Sequence, residues 1–321
     1  MIAGGTDTPD RPGRAALFLV SGLLLLAVQD ALVKATSDAV SLWQFQFVRA
    51  LCNLALLLAV GALWRRARAV RPIRLWAVAV RSALIAGTMV LFFGAIPFLS
   101  LAEVAAGLYC FPIFVTLLAL VLPGEQVGWR RLSAVGVGIL GSLMVLQPGA
   151  EGFRAIQLMP VGAGVCYACF VLVTRRLCRH EHPATLSMGV LIGQGVLGIV
   201  GLSVLTLLPQ PALETAWPYL FSGWHALGPQ VLAIIVACSA MNLTAQVGLA
   251  FAYQNAESSW LAPFDYSYLV FATLVSGLVF GDWPNALAIA GMVLIATSGT
   301  AIALREARIG RRVVPRPGGR L

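Results

Sequence analysis

Ten stretches of about twenty mostly apolar residues, each ended by charge, glycine or proline, constrain this chain more than any other feature. They cover roughly 15–34, 42–63, 74–98, 102–122, 131–147, 157–176, 184–208, 228–253, 257–280 and 285–304. A stretch of about 20 residues is what a helix needs to cross the hydrocarbon layer. Lipid offers no partner to backbone N–H and C=O groups, so runs of this kind fold as helices that satisfy their own hydrogen bonds. Charged residues make up 11% of the chain, against about 25% in a soluble protein. The expected fold is therefore an all-α integral membrane protein with ten transmembrane helices. The first run follows Arg11 and Arg14 but is too long for a signal-peptide core, and no small-residue cleavage site follows it.

The formal net charge of +9 is not a nucleic-acid footprint, because the arginines sit in short clusters between apolar runs. Arg11 and Arg14 precede the first run; Arg65, Arg66, Arg68, Arg71 and Arg74 separate the second and third; Arg130 and Arg131 separate the fourth and fifth. Arg175, Arg176 and Arg179 follow the sixth, and Arg305, Arg308, Arg311, Arg312, Arg316 and Arg320 follow the last. With ten alternating helices all of these fall on one side. The retention of basic residues in the cytoplasm then sets both termini there.

The loop after the second run carries five arginines, whereas its counterpart after the seventh carries none. Corresponding loops of two five-helix halves thus face opposite sides, which describes an inverted-topology repeat. Residue matches support the pairing. Ala102 and Glu103 align with Ala256 and Glu257, Gly124 and Glu125 with Gly281 and Asp282, and the glycine-rich Gly136–Ser142 with Gly291–Gly299. The expected organisation is a cytoplasmic tail over 1–14, a first repeat over 15–150, a second, inverted repeat over 151–304 and a basic cytoplasmic tail over 305–321.

Candidate site residues are the polar groups that lipid penalises. A charge at the centre of a membrane helix costs about 2.5–3.5 kcal/mol on insertion scales, yet the ninth run holds Glu257, Trp260, Asp265, Tyr266 and Tyr268 around Pro263. The fourth run repeats the pattern with Glu103, Tyr109 and Pro112. Glu103 and Glu257 open their helices, where the helix dipole favours an anion, so a capping role competes with substrate or proton binding. Asp265 lies two turns in, where no such effect reaches. Trp260 and Phe264 share one face, with Asp265 and Tyr268 on the next, and such stripes serve packing as well as binding. Tyr167, Asn242 and Gln246 offer neutral hydrogen bonding to a solute or a neighbouring helix. Asp30 and Lys34 stand at i, i+4 and are expected to form a local ion pair or a gate. Arg49 has no partner on its own helix and is expected to meet Asp30 or a substrate carboxylate. Pro97, Pro112 and Pro263 are expected to kink their helices, and Trp217, Tyr219, Phe221 and Trp224 to lie at headgroup level.

The six cysteines are mostly within apolar runs and read as small buried hydrophobes. Cys178, His180 and His182 lack a fourth metal ligand, so neither metal nor cofactor is expected. The order of Asp30-x-x-x-Lys34, Gln44-x-x-x-x-Arg49, the two Ala-Glu helix openings and the glycine-rich fifth and tenth runs resembles the drug/metabolite transporter superfamily in its ten-helix form with two EamA-type repeats. That resemblance covers about Ala15 to Leu304. It implies a secondary transporter of the bacterial inner membrane exporting small metabolites by alternating access, amino acids including aromatic ones in the branch it is most similar to. Related members take up S-adenosylmethionine or expel cationic drugs. Runs 1, 3, 4, 6, 8 and 9 are expected to line a midplane cavity and runs 5 and 10 to act as scaffold. The partners expected are a small-molecule substrate and the lipid bilayer, with a monomer as the working unit. An enzyme is disfavoured by the lack of a His-Glu-x-x-His or Gly-x-Ser-x-Gly motif, and a channel by the inverted repeat.

Overall fold

The computed structural model describes residues 12–64, 72–120, 129–147, 154–256 and 258–313, and over these the chain is helical with no strand. α1 (Pro12–Thr36) begins at a proline, whose missing N–H costs nothing in a first turn. Then come α2 (Leu42–Trp64), α3 (Leu75–Ala95), α4 (Leu101–Leu108), α5 (Phe111–Leu120), α6 (Trp129–Leu146), α7 (Leu158–Leu177) and α8 (Pro183–Leu207). Two short helices, α9 (Pro211–Ala216) and α10 (Pro218–Phe221), lead to α11 (Pro229–Asn255), α12 (Ser258–Asp265), α13 (Ser267–Phe280) and α14 (Ala286–Val313). Among the described residues, seven helical segments are long and apolar enough to cross a membrane, and two shorter apolar ones lie over Leu132–Leu146 and Ala286–Ile302. The protein is a multi-pass membrane protein.

Local chemistry sets the helix ends. Ser100 and Glu103 make a capping box at α4: Ser100 Oγ accepts from the Glu103 N–H at 3.2 Å, and Glu103 Oε2 accepts from the Ser100 N–H at 2.9 Å. Reciprocal bonds of this kind satisfy two amides that the helix itself leaves free. At the other extreme α13 stops at Gly281, whose φ of 75° is the left-handed region that glycine enters without penalty.

The expected fourth and ninth helices are each broken rather than merely kinked. α4 gives way to α5 at Tyr109 and Cys110, just before Pro112, and α12 to α13 at Tyr266, just after Pro263. Proline has no N–H to bond the carbonyl four residues back, which frees backbone groups near each break. α3 ends at Ala95, ahead of Pro97 and short of its expected end at 98.

Helix contacts follow a regular scheme. α1 packs on α11 and α3 on α7; α1 also packs on α12 and α13, and α7 on α4 and α5; α2 packs on both α8 and α11. α6 and α14 lie on one another through glycine: a Cβ on Gly141 would meet the Gly291 carbonyl at 2.7 Å, and one on Gly291 would meet the Gly141 carbonyl at 2.5 Å. Small residues let helix backbones approach closely where lipid supplies no hydrophobic drive.

Candidate functional site

The two broken helices meet at their breaks. Tyr109, at the end of α4, donates its hydroxyl to the backbone carbonyl of Asp265 at 3.0 Å. That carbonyl would otherwise serve the Leu269 N–H, which bonds Tyr266 O instead. The Tyr109 ring lies parallel to Tyr268 with centroids 5.5 Å apart and edge-on to Tyr266 at 5.4 Å. Tyr253, from α11, donates to Asp265 Oδ2, and Tyr268 donates to Asp30 Oδ2 from across the bundle. Gln29 Nε2 donates to the other Asp30 oxygen at 3.2 Å. Two carboxylates are thus held by tyrosine hydroxyls around an aromatic core drawn from α1, α4, α11, α12 and α13. Charge is tolerated there because each carboxylate has a hydrogen-bond donor rather than acyl chains beside it.

Of the expected site residues, this cluster gathers Asp265, Tyr266, Tyr268, Tyr109 and Asp30. Tyr167 sits nearby on α7, half-buried and edge-on to Phe111 at 4.9 Å. Trp260 does not join it: its indole packs on Phe264 at 5.0 Å and remains 41% exposed. The break at Tyr266 interrupts the helical phase, so the stripe expected from an unbroken helix does not hold across it. Gln246 is exposed and Asn242 half-buried on α11. Glu257 lies outside the described residues. Glu103 caps α4, and its second oxygen accepts from Gln157 at 3.4 Å, a structural use of the carboxylate.

The expected pairing of Asp30 with Lys34 is corrected. Lys34 Nζ bonds Asp282 Oδ2 at 2.5 Å and the Leu99 carbonyl at 3.0 Å, so it ties the end of α1 to the turns after α13 and α3. The i, i+4 partner loses because Asp30 is turned inward to Tyr268. This ion pair borders a cavity of about 550 Å³ at one end of the bundle, lined also by Glu103, Gln147, Arg154 and Asn285. Arg49 makes no direct ion pair with Asp30, but the two opposite charges lie within electrostatic reach of one another. It is 3% exposed, with its guanidinium 4.8 Å from the Phe93 ring centroid and 5.6 Å from that of Phe45. Tyr219, expected at headgroup level, is instead buried. Burial pushes its phenol up, opposed by the nearby Arg49 charge, so the hydroxyl is neutral. Arg81 bonds Thr174 at 2.9 Å and the Leu186 carbonyl at 3.1 Å. Tyr253 is not singled out by the sequence, and Asp282 stands there only as the repeat counterpart of Glu125; its position after a glycine stop is the one signal of its role.

Comparison with known proteins gives the following. Residues 13–147 match the model of the EamA-like transporter family. The chain is 29% identical over 204 residues to a riboflavin transporter of Vibrio cholerae serotype O1, covering 63% of this chain and 62% of that protein; the chain thus spans less than two thirds of that relative's length. It is 24% identical over 215 residues to an S-adenosylmethionine uptake transporter of Rickettsia bellii, covering 64% of this chain and 67% of that one. A solved crystal structure at 21% identity superposes with a TM-score of 0.57, over 94% of this chain and 99% of the other, a likeness of fold.

Proposed function

We propose that the chain is an EamA-type carrier of ten spans that moves a small heteroaromatic metabolite across a bacterial inner membrane by alternating access, with riboflavin the first candidate. The observation that carries this reading is the meeting of two interrupted helices at a tyrosine and carboxylate centre, since discontinuous helices with polar side chains inside the bundle are how secondary transporters build solute sites. Counting α4 with α5 and α12 with α13 as single spans, and leaving aside the short α9 and α10, gives ten. The helix contacts then favour two equivalent halves, 15–150 and 151–304. Exchanging the halves turns α1 on α11 into α7 on α3 and α1 on α12 and α13 into α7 on α4 and α5, and it maps α6 with α14 and α2 with α8 onto themselves. The arginine asymmetry puts both termini in the cytoplasm, and a monomer suffices for the site. The relatives are transporters, and no enzymatic role is proposed.

Tyr109, Tyr266 and Tyr268 offer ring faces for stacking, and phenol and carboxylate groups beside them suit a polar chain. The amino-acid cargo and export direction expected from the sequence gain no specific support from the relatives described above, whose names give riboflavin and S-adenosylmethionine uptake. A sulfonium cation is the second reading, favoured by the two carboxylates Asp30 and Asp265.

Counterflow into proteoliposomes separates these. Labelled riboflavin is expected to accumulate when unlabelled riboflavin is inside, with Tyr109→Ala abolishing the effect. Accumulation of S-adenosylmethionine or phenylalanine in its place, under matched conditions, overturns the flavin assignment; absence of any counterflow overturns the carrier.

A further inference from the structure

One face of α2 carries a polar stripe that the tyrosine centre does not use. Gln46, Arg49 and Asn53 stand at i, i+3 and i+7, a spacing that puts them on one helix face. All three are buried, at 3%, 3% and 6% exposure. Each carries polar atoms without a hydrogen-bond partner: Nε and Nη1 of Arg49, Oε1 of Gln46 and Oδ1 of Asn53. Gln29 of α1, 1% exposed, adds a fourth such group in its Oε1. Its amide nitrogen is committed to Asp30, which fixes the oxygen as the free end. Gln29 adjoins the Arg49 neighbourhood through Cys238, whose thiol contacts the Gln29 carbonyl and lies within electrostatic reach of the guanidinium.

Buried polar atoms in native proteins nearly always have partners, and a connected group without them calls for a reason. Here the free atoms are donors, acceptors and the buried Tyr219 hydroxyl, which lies near the Arg49 charge and can act as either. Arg49 offers donors, held in place by the Phe45 and Phe93 rings; the three side-chain amides offer acceptors. A carboxylate or phosphate satisfies the donors and leaves the acceptors repelled. A ring N–H alone does the reverse. A ring edge that alternates carbonyl, N–H and carbonyl answers both.

We infer that Gln29, Gln46, Arg49 and Asn53 form a recognition subsite for an imide edge of the transported ring, with Arg49 donating to a carbonyl and an amide oxygen accepting from the ring N–H. The inference rests on the heteroaromatic solute proposed above and adds its orientation: the imide end lies toward α2 and the remainder toward the tyrosine centre. Riboflavin has such an edge, and methylation at its N3 removes the donor while leaving ring, carbonyls and ribityl chain in place.

The test is equilibrium binding to the purified protein in detergent, read by quenching of flavin fluorescence. N3-methylriboflavin is expected to bind the unmutated protein ~10- to 100-fold more weakly than riboflavin, the loss that goes with an unmade hydrogen bond in a buried site. Arg49→Gln is expected to weaken riboflavin by a similar factor. Equal binding of the two flavins by the unmutated protein overturns the subsite and leaves the carrier of heteroaromatic solutes standing. No riboflavin binding at all overturns the subsite and the flavin assignment together. Because the first comparison changes the ligand and not the protein, a folding defect in the Arg49 variant does not cloud it.

Discussion

Tyr268 does two things with one side chain: its ring stacks on Tyr109 and its hydroxyl donates to Asp30. Tyr268→Phe keeps the stack and removes the donor, so a buried carboxylate oxygen loses its partner. The expected cost is about 1–3 kcal/mol, read as a lower midpoint in thermal unfolding of the detergent-solubilised protein. Asp265→Asn keeps an acceptor for Tyr253 but removes the charge; if Asp265 is the proton carrier, substrate uptake by the variant no longer responds to an imposed pH gradient, while counterflow persists. An unchanged response removes Asp265 from any proton-carrying role. Asp265 and Tyr268 were legible in the sequence because a carboxylate and a phenol deep in an apolar run need a reason. Lys34 was misread because Asp30 stands one turn away, whereas its partner Asp282 is 248 residues distant and only the folded chain brings it near. Trp260 was misread because helical phase was carried across a break.

At the scale of elements, the crossing of α6 and α14 is a backbone-to-backbone approach with little tolerance. A methyl on Gly291 would face the Gly141 carbonyl, which is backbone and has little room to yield. Gly291→Ala is expected to destabilise by about 1–3 kcal/mol through overpacking, again measured by thermal unfolding, and Gly136→Ala, where a Cβ meets nothing within 4 Å, to leave the midpoint unchanged. The long helices were legible among the described residues, since the apolar runs are bounded by charge, glycine and proline. The breaks were only half legible. Pro112 and Pro263 marked where a helix bends, but full interruption needs something to take over the released carbonyl, and Tyr109 doing so for Asp265 is a tertiary event. The short helices α9 and α10 escaped for a related reason: the aromatics Trp217, Tyr219, Phe221 and Trp224 in and beside α10 fit a headgroup belt, yet Trp43 Nε1 donates to the Leu220 carbonyl at 2.8 Å and Tyr219 turns inward.

Across the whole molecule, Lys34 and Asp282 join parts of the chain that lie in different halves of the proposed repeat. The pair is partly exposed, and exposed pairs are worth little to stability, about 0–1 kcal/mol, so its removal is expected to show in conformation instead. Asp282→Asn is expected to speed labelling of a cysteine placed at Leu99 by a membrane-impermeant maleimide several-fold, without shifting the unfolding midpoint; an unchanged rate removes the pair from any gating role. The arginine asymmetry proposed to orient the bundle was written in the sequence, but the partner of each buried polar group was not, because lipid specifies only that a partner exist. Amides in the middle of a membrane helix are normally the slowest to trade their protons for solvent deuterium, whereas at Cys110 and Ser267 the regular ladder is interrupted well inside the bundle. Mass-spectrometric exchange is therefore expected to find its fastest interior sites there, and their rates give a label-free clock for the solute-driven cycle.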